Sequence, residues 1–236
     1  MPVEEEKITA LLPANQGLEP SLIKSKERVQ KHGEVFTPDW MVKKMLSYPE
    51  IQDKLQDLHA TFLEPSAGEG AFLTEILRQK LAYVNQSPAS RGVHWQYNTL
   101  WALLSIYGIE FLEDNLKIAR DNMLQAFADN YRKKTGRELN PDSDLYRSAQ
   151  TIIRWNIVQG NTLTHKTSDG NLILLNQWIQ GGPKHRRSVI RRPFFFDSLF
   201  LSEEDTMGDL FEDQAIHDAP KEFWIRTILR VWEEEG

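Results

Sequence analysis

The stretch Thr61-Phe-Leu-Glu-Pro-Ser-Ala-Gly-Glu-Gly-Ala-Phe72 constrains this chain more than any other part of it. A short apolar run enters it and two glycines separated by one residue occupy its middle. Phe72, Leu73, Ile76, Leu77 and Leu81 then recur at the spacing of a helix buried along one side. The order spelled is strand, tight turn, helix, and the expected helix runs from Ala71 to Tyr83. Gly68 and Gly70 permit backbone that other residues avoid and let a ligand approach the main chain closely. Taken alone, such a turn is either a ligand cradle or simply a tight connection.

The rest of the chain repeats the alternation. Ser105 to Ile109 reads as a second strand ending at Glu110, and Asn115 to Tyr131 as a long helix. Ile152 to Val158 reads as a third strand closing on Gly160 and Asn161. Leu172 to Ile179 is a further apolar stretch, and Arg192 to Phe200 holds an expected fourth strand over Pro193–Asp197. Trp40 to Leu46 is an expected helix capped by Asp39 or Thr37, and Ile51, Leu55 and Leu58 share helical spacing. Residues 85–99 and 132–150 are polar and read as excursions, and Phe223 to Trp232 as a terminal helix. Strands alternating with helices predict an α/β fold with a parallel sheet. The expected organisation is an arm over 1–24, one domain over 25–202 and an acidic tail over 203–236.

Composition narrows the class. The chain has 236 residues, 40% apolar and 26% charged, which excludes collagen-like, disulfide-framed and wholly disordered classes. It has no cysteine, which removes disulfides, thiolate metal sites and a cysteine nucleophile together. The six histidines lack metal-ligand spacing, so no metal is expected. No apolar run approaches membrane length and the acidic N-terminus lacks the order of a secretion signal, so the expected location is cytoplasmic, away from membranes. The net charge of -6 is unevenly spread. Residues 203–236 hold eleven acidic and three basic side chains, leaving a slight positive excess before them. Within that earlier part Lys184, Arg186, Arg187, Arg191 and Arg192 crowd nine positions. A basic segment followed by an acidic one is either a polyanion site beside its own competitor or a solvated loop followed by a solvated helix. The first reading makes these five the expected nucleic-acid contacts, with salt-sensitive binding.

Three strand ends carry Glu64, Glu110 and Asn161. A carboxylate at Glu64 repels a pyrophosphate and welcomes a cation. Leu73 also stands where the dinucleotide fingerprint has its third glycine, and no Gly-Lys-Ser/Thr follows the turn. Glu110 is placed for ribose hydroxyls and Asn161 for an adenine edge, because ligands of open α/β sheets bind at the carboxyl ends of strands. An adenosine with a positively charged amino-acid tail fits all three.

Gly33-Glu-Val-Phe-Thr-Pro38, Glu64-Pro-Ser-Ala-Gly-Glu-Gly-Ala-Phe-Leu73, Tyr107-Gly-Ile-Glu110 and Gly160-Asn-Thr-Leu163 occur in that order. The series resembles the adenine-N6 DNA methyltransferases of restriction–modification systems, over about Ser25 to Phe200. The resemblance implies a Rossmann-like class I S-adenosylmethionine-dependent methyltransferase fold, truncated after its fourth or fifth strand. It implies S-adenosylmethionine as cofactor, held by Phe36, Thr37 and Pro38, by Glu64, Pro65, Gly68, Gly70 and Phe72, and by Glu110 and Asn161. DNA is the implied partner. The family's catalytic Asn/Asp-Pro-Pro-Tyr/Phe block has no counterpart, since the chain contains no Pro-Pro pair. Asp197 as hydrogen-bond acceptor and Phe200 as stacking ring are the candidates to stand in for it. The expectation is therefore a cofactor-binding chain that is incomplete for methyl transfer or depends on a second subunit. The alternative is a non-catalytic cofactor- or DNA-binding module of a defence or mobile-element system.

Overall fold

Phe62, Ile106 and Ile157 open three short strands that the computed structural model, which describes residues 37–182, 185, 187–200 and 221–235, lays side by side. The chain divides into two compact units, Met1–Pro38 and Asp39–Gly236, and every element named below belongs to the second. Helices α1 (Asp39–Leu46) and α2 (Pro49–Leu55) lead into β1 (Phe62–Glu64). After it come α3 (Ala71–Gln86), α4 (Val93–Leu104), β2 (Ile106–Glu110), α5 (Glu113–Thr135), α6 (Asp144–Asn156) and β3 (Ile157–Gln159). The strand order is β1-β2-β3 and both pairings are parallel, with Phe62 opposite Ile106 and Gly108 opposite Ile157. The architecture is mixed α/β, a parallel sheet joined through helices, and is compatible with a Rossmann-like fold.

The core lies between this sheet and its helices. Leu73, Leu77 and Leu81 of α3 are buried with Ile106 and Ile109 of β2 and with Met123 and Phe127 of α5. Gly108 makes the approach possible: a Cβ there would lie 2.8 Å from Leu73 Cδ1 and 3.4 Å from Ala67 Cβ. Lys80 is fully buried on α3, and its ammonium donates to the carbonyls of Asp57 and Ala60, both at 2.8 Å. It ties the helix to the turn before β1, and burial pulls its pKa down from 10.5 to about 8.

Beyond β3 the chain changes character. β4 (Leu174–Gln180), β5 (Val189–Phe195) and β6 (Phe223–Ile225) form a separate antiparallel sheet in the order β4-β5-β6. A 3-10 turn over Phe196–Phe200 follows β5, and 3-10 turns over Ile228–Glu235 follow β6. The two sheets are linked by Asn156. Its buried NH2 donates to the carbonyls of Leu103 (3.4 Å), Leu104 and Ile106 (both 3.2 Å), and its oxygen accepts from Trp178 Nε1 on β4 at 2.9 Å.

Several expectations are corrected. Ile152 to Asn156 are helical, so the third strand is only Ile157–Gln159. Leu145, Ala149, Ile152 and Ile153 are buried together on α6, a helical stripe whose last turn imitates an apolar strand. The fourth strand does not extend the parallel sheet. Residues 160–173 hold two antiparallel bridges, Asn161 with Lys166 and Lys166 with Leu172, and no crossover helix, which a parallel return needs. Among the described residues the parallel sheet therefore has three strands rather than four or five. Residues 85–99 are no simple polar excursion, because α4 begins at Val93 and buries Trp95 and Thr99. Phe223 to Trp232 is a strand and 3-10 turns rather than a helix, so the end of the acidic tail is part of the antiparallel sheet. The arm over 1–24 lies outside the described residues.

Candidate functional site

The carboxyl ends of β1, β2 and β3 converge on one network of backbone hydrogen bonds. The turn after β1 is fastened to β2 by Ala67 N–H, which donates to Ile109 O at 3.0 Å, and closes on itself through Gly70 N–H to Ala67 O at 2.8 Å. Both glycines take left-handed backbone, φ +54° at Gly68 and +81° at Gly70. They do so for different reasons. A Cβ on Gly70 would meet Ala119 Cβ at 3.0 Å and Ala119 Cα at 3.1 Å, so Gly70 lets α3 start against α5. A Cβ on Gly68 would meet nothing within 4 Å. The space beside Gly68 is open, and its backbone is what borders it.

Glu110 organises the ends of these strands. Only 6% of it is exposed, and its carboxylate accepts Gly68 N–H at Oε2 (2.7 Å) and Leu112 N–H at Oε1 (2.9 Å). Its backbone carbonyl accepts Gly160 N–H at 3.0 Å, which brings the end of β3 alongside. Each carboxylate oxygen has lone-pair capacity for a second hydrogen bond beyond its backbone donor. Among the described residues no Lys or Arg forms an ion pair with Glu110. The site is thus a buried carboxylate pinned by main-chain donors.

Glu64, at the end of β1, accepts Ser66 N–H at 3.2 Å. It is half-buried, and desolvation raises its pKa above the usual glutamate value. Pro65 is exposed beside it, and Phe72 packs part-buried on the core. Asn161 uses its side-chain oxygen to accept Leu163 N–H at 2.9 Å, while its backbone N–H donates to Lys166 O at 2.8 Å. Gly160 allows Ile173 to pack over β3, since a Cβ there would lie 2.4 Å from Ile173 Cδ1. Thr37 and Pro38 fall in the other compact unit, and Phe36 lies outside the described residues.

Of the five expected nucleic-acid residues, three lie among the described residues, and Arg187 and Arg192 of these are exposed. Lys184 and Arg186 lie outside the described residues. Arg187 approaches the Tyr97 ring at 6.0 Å, and its carbonyl accepts Ile228 N–H at 2.9 Å. Arg191 on β5 is held between Trp155 (4.3 Å) and Phe223 (4.1 Å) and donates to Asn176 Oδ1 at 3.0 Å. Arg192 pairs with Glu222 across the sheet and reaches Gln177 at 3.3 Å.

Asp197 and Phe200 sit together in the turn after β5, joined by a residue that sequence reasoning passed over. Asp197 Oδ1 is bonded to His165 Nδ1, and the His165 ring stacks on Phe200 at 4.9 Å. Gln159 was missed as well: it donates to Phe111 O (3.0 Å) and accepts from Ser168 N–H (2.9 Å), bracing the loop after β3. No spacing rule singles out either residue, because both act through partners distant in sequence.

No protein-family model, curated protein or solved structure matches the chain. No helix among the described residues is long and apolar enough to cross a membrane, and among them no three His, Asp or Glu side chains gather as a metal site.

Proposed function

We propose that this chain binds S-adenosylmethionine at the carboxyl end of its parallel sheet, in a fold related to the class I methyltransferases. The observation that carries the reading is Glu110: a buried carboxylate pinned by Gly68 N–H and Leu112 N–H, with acceptor capacity to spare beside the open space at Gly68. That set of acceptors fits the hydroxyl donors of an adenosine ligand. Glu110 would hold the ribose hydroxyls, the Gly68 backbone would lie against the ligand, and the Asn161 amide would meet the adenine edge. Glu64, whose ionised form is disfavoured by burial, would gain from a cationic sulfonium or ammonium nearby.

When bound, the cofactor supplies an activated methyl group. The residues of this chain that would meet an acceptor are Asp197, as hydrogen-bond acceptor, and Phe200, as an aromatic surface. Both stand on a turn outside the parallel sheet, in place of a Pro-Pro motif on a fourth parallel strand. The function proposed is therefore cofactor binding akin to the adenine-N6 DNA methyltransferases, with methyl transfer to a base held by Asp197 and Phe200 dependent on a second subunit.

Calorimetric titration of S-adenosylmethionine and its demethylated product into the purified chain tests this. Micromolar binding of both, lost in Gly68→Val, is the expected result. No heat at millimolar ligand, or undiminished affinity in Gly68→Val, would overturn it.

A further inference from the structure

Among the described residues, one that is not glycine takes left-handed backbone: His165, with φ +57°. Such a conformation persists only where neighbours over-determine it, and here four contacts do. Its carbonyl accepts Ile173 N–H at 3.0 Å. Its ring stacks on Phe200, 17° from parallel, and meets Phe196 edge-on at 5.2 Å. Its Nδ1 is bonded to Asp197. Phe196 is the buried base of the group, with its N–H on Ile173 O at 2.8 Å and its ring edge-on to Phe200 at 5.1 Å. On the turn itself Phe200 is 63% exposed and Leu199 54%.

His165 belongs to the loop that starts at Asn161, whereas Asp197 and Phe200 belong to the turn after β5. A single imidazole thus sets the carboxylate and the ring of one segment relative to the other. Histidine suits the position on three counts. It tolerates left-handed backbone better than most residues, it offers a flat face to Phe200, and its Nδ1 engages a carboxylate.

We propose that His165 is a positioning residue, holding the Asp197 carboxylate and the Phe200 ring as one surface for an unpaired, planar base. This rests on the reading that Asp197 and Phe200 meet the acceptor. Phenylalanine at 165 keeps a flat face and loses the Asp197 bond. Asparagine keeps a polar group and tolerates the backbone, and loses the stack.

The test uses a single-stranded oligonucleotide carrying 2-aminopurine, whose fluorescence falls on stacking, added to the full chain. Wild type is expected to quench it and Phe200→Ala to abolish the quench. His165→Ala should bind about tenfold more weakly with most of the quench lost, while S-adenosylmethionine affinity and the thermal midpoint stay near wild type. His165→Asn and His165→Phe should each recover part of the quench. No quench by wild type would sink the acceptor reading and this proposal with it, leaving the calorimetric result on the cofactor standing. A wild-type quench unchanged in His165→Ala would overturn the positioning role alone. Loss of the quench together with the fold in His165→Ala, without partial recovery in either conservative variant, would reduce the residue to a structural one and overturn the proposal too.

Discussion

Among the described residues the parallel and the antiparallel sheet each have three strands and share one apolar core, which Leu175, Val189 and Ile225 join as Ile106 and Ile109 do, yet the second sheet adds a polar spine. In the parallel sheet, neighbours in space are successive strand–helix units, and the seal is apolar: Leu73 over Gly108, with Ile106 and Ile109 buried beneath α3 and α5. In the antiparallel sheet, β6 arrives from beyond residue 220, pairs with β5 and buries Ile225 in the core, while polar and aromatic contacts tie β4 and β5 to the rest. Asn156 bridges three carbonyls and an indole, Asn176 joins Trp155 O (3.0 Å) to Arg191, and Arg191 lies between two aromatic rings. Apolar burial is non-directional and tolerates approximate fit. A buried polar spine does not, because each unpaired group costs free energy when its partner is lost.

The sharpest break between the two is Asn156→Leu. It strands the Trp178 indole N–H and the β2-side carbonyls, and should destabilise the second unit by about 3 kcal/mol. Urea denaturation measures this; a loss well under 1 kcal/mol would mean the spine contributes little. Next in size is the pair of glycines. Gly70→Ala should cost about 2 kcal/mol, since it adds a clash with Ala119 to left-handed backbone. Gly68→Ala should cost only about 1 kcal/mol, for backbone alone. The order should reverse in ligand titration, where changes at Gly68 matter more. Equal stability losses would contradict the different surroundings of the two glycines.

Lys80 supplies the next test. Between about pH 8 and 10.5 the unfolded chain still holds the proton that the folded chain has released, so this group makes stability rise with pH across that window. The two carbonyl bonds favour the ammonium and limit the rise to about 1–2 kcal/mol. Lys80→Met should flatten that part of the stability–pH curve, and an unchanged slope would place the proton uptake elsewhere. An effect as small as that of Gly68→Ala, about 1 kcal/mol, is expected for Arg191→Lys, because a point charge replaces a planar group between two rings. It should leave ligand affinity untouched, which would sharpen the separation of the two sheets.

Much of the first sheet was legible. The helical stripe after Gly70 and the strand ending at Glu110 appear where the pattern puts them, extended by a few residues for α3. Glu64, Gly68, Glu110 and Asn161 could be named from strand ends alone, since in a parallel sheet those ends fall along one edge. The third strand was misjudged because Ile152 and Ile153 satisfy both a strand run and the last turn of α6. The expected fourth strand over Pro193–Asp197 overlaps only the end of β5, runs on into the 3-10 turn after it, and belongs to the other sheet.

What the chain's residues determined by themselves was the strand–turn–helix unit around Gly68 and Gly70 and the acids that border it, because backbone permissiveness and apolar period are local properties. Tertiary structure alone decided that Gly70 faces Ala119 while Gly68 faces open space, that Arg191 lies between two rings, and that His165 meets Asp197 across 32 positions. Those outcomes depend on directional contacts between segments far apart in the chain, and no local period carries the distance or the angle.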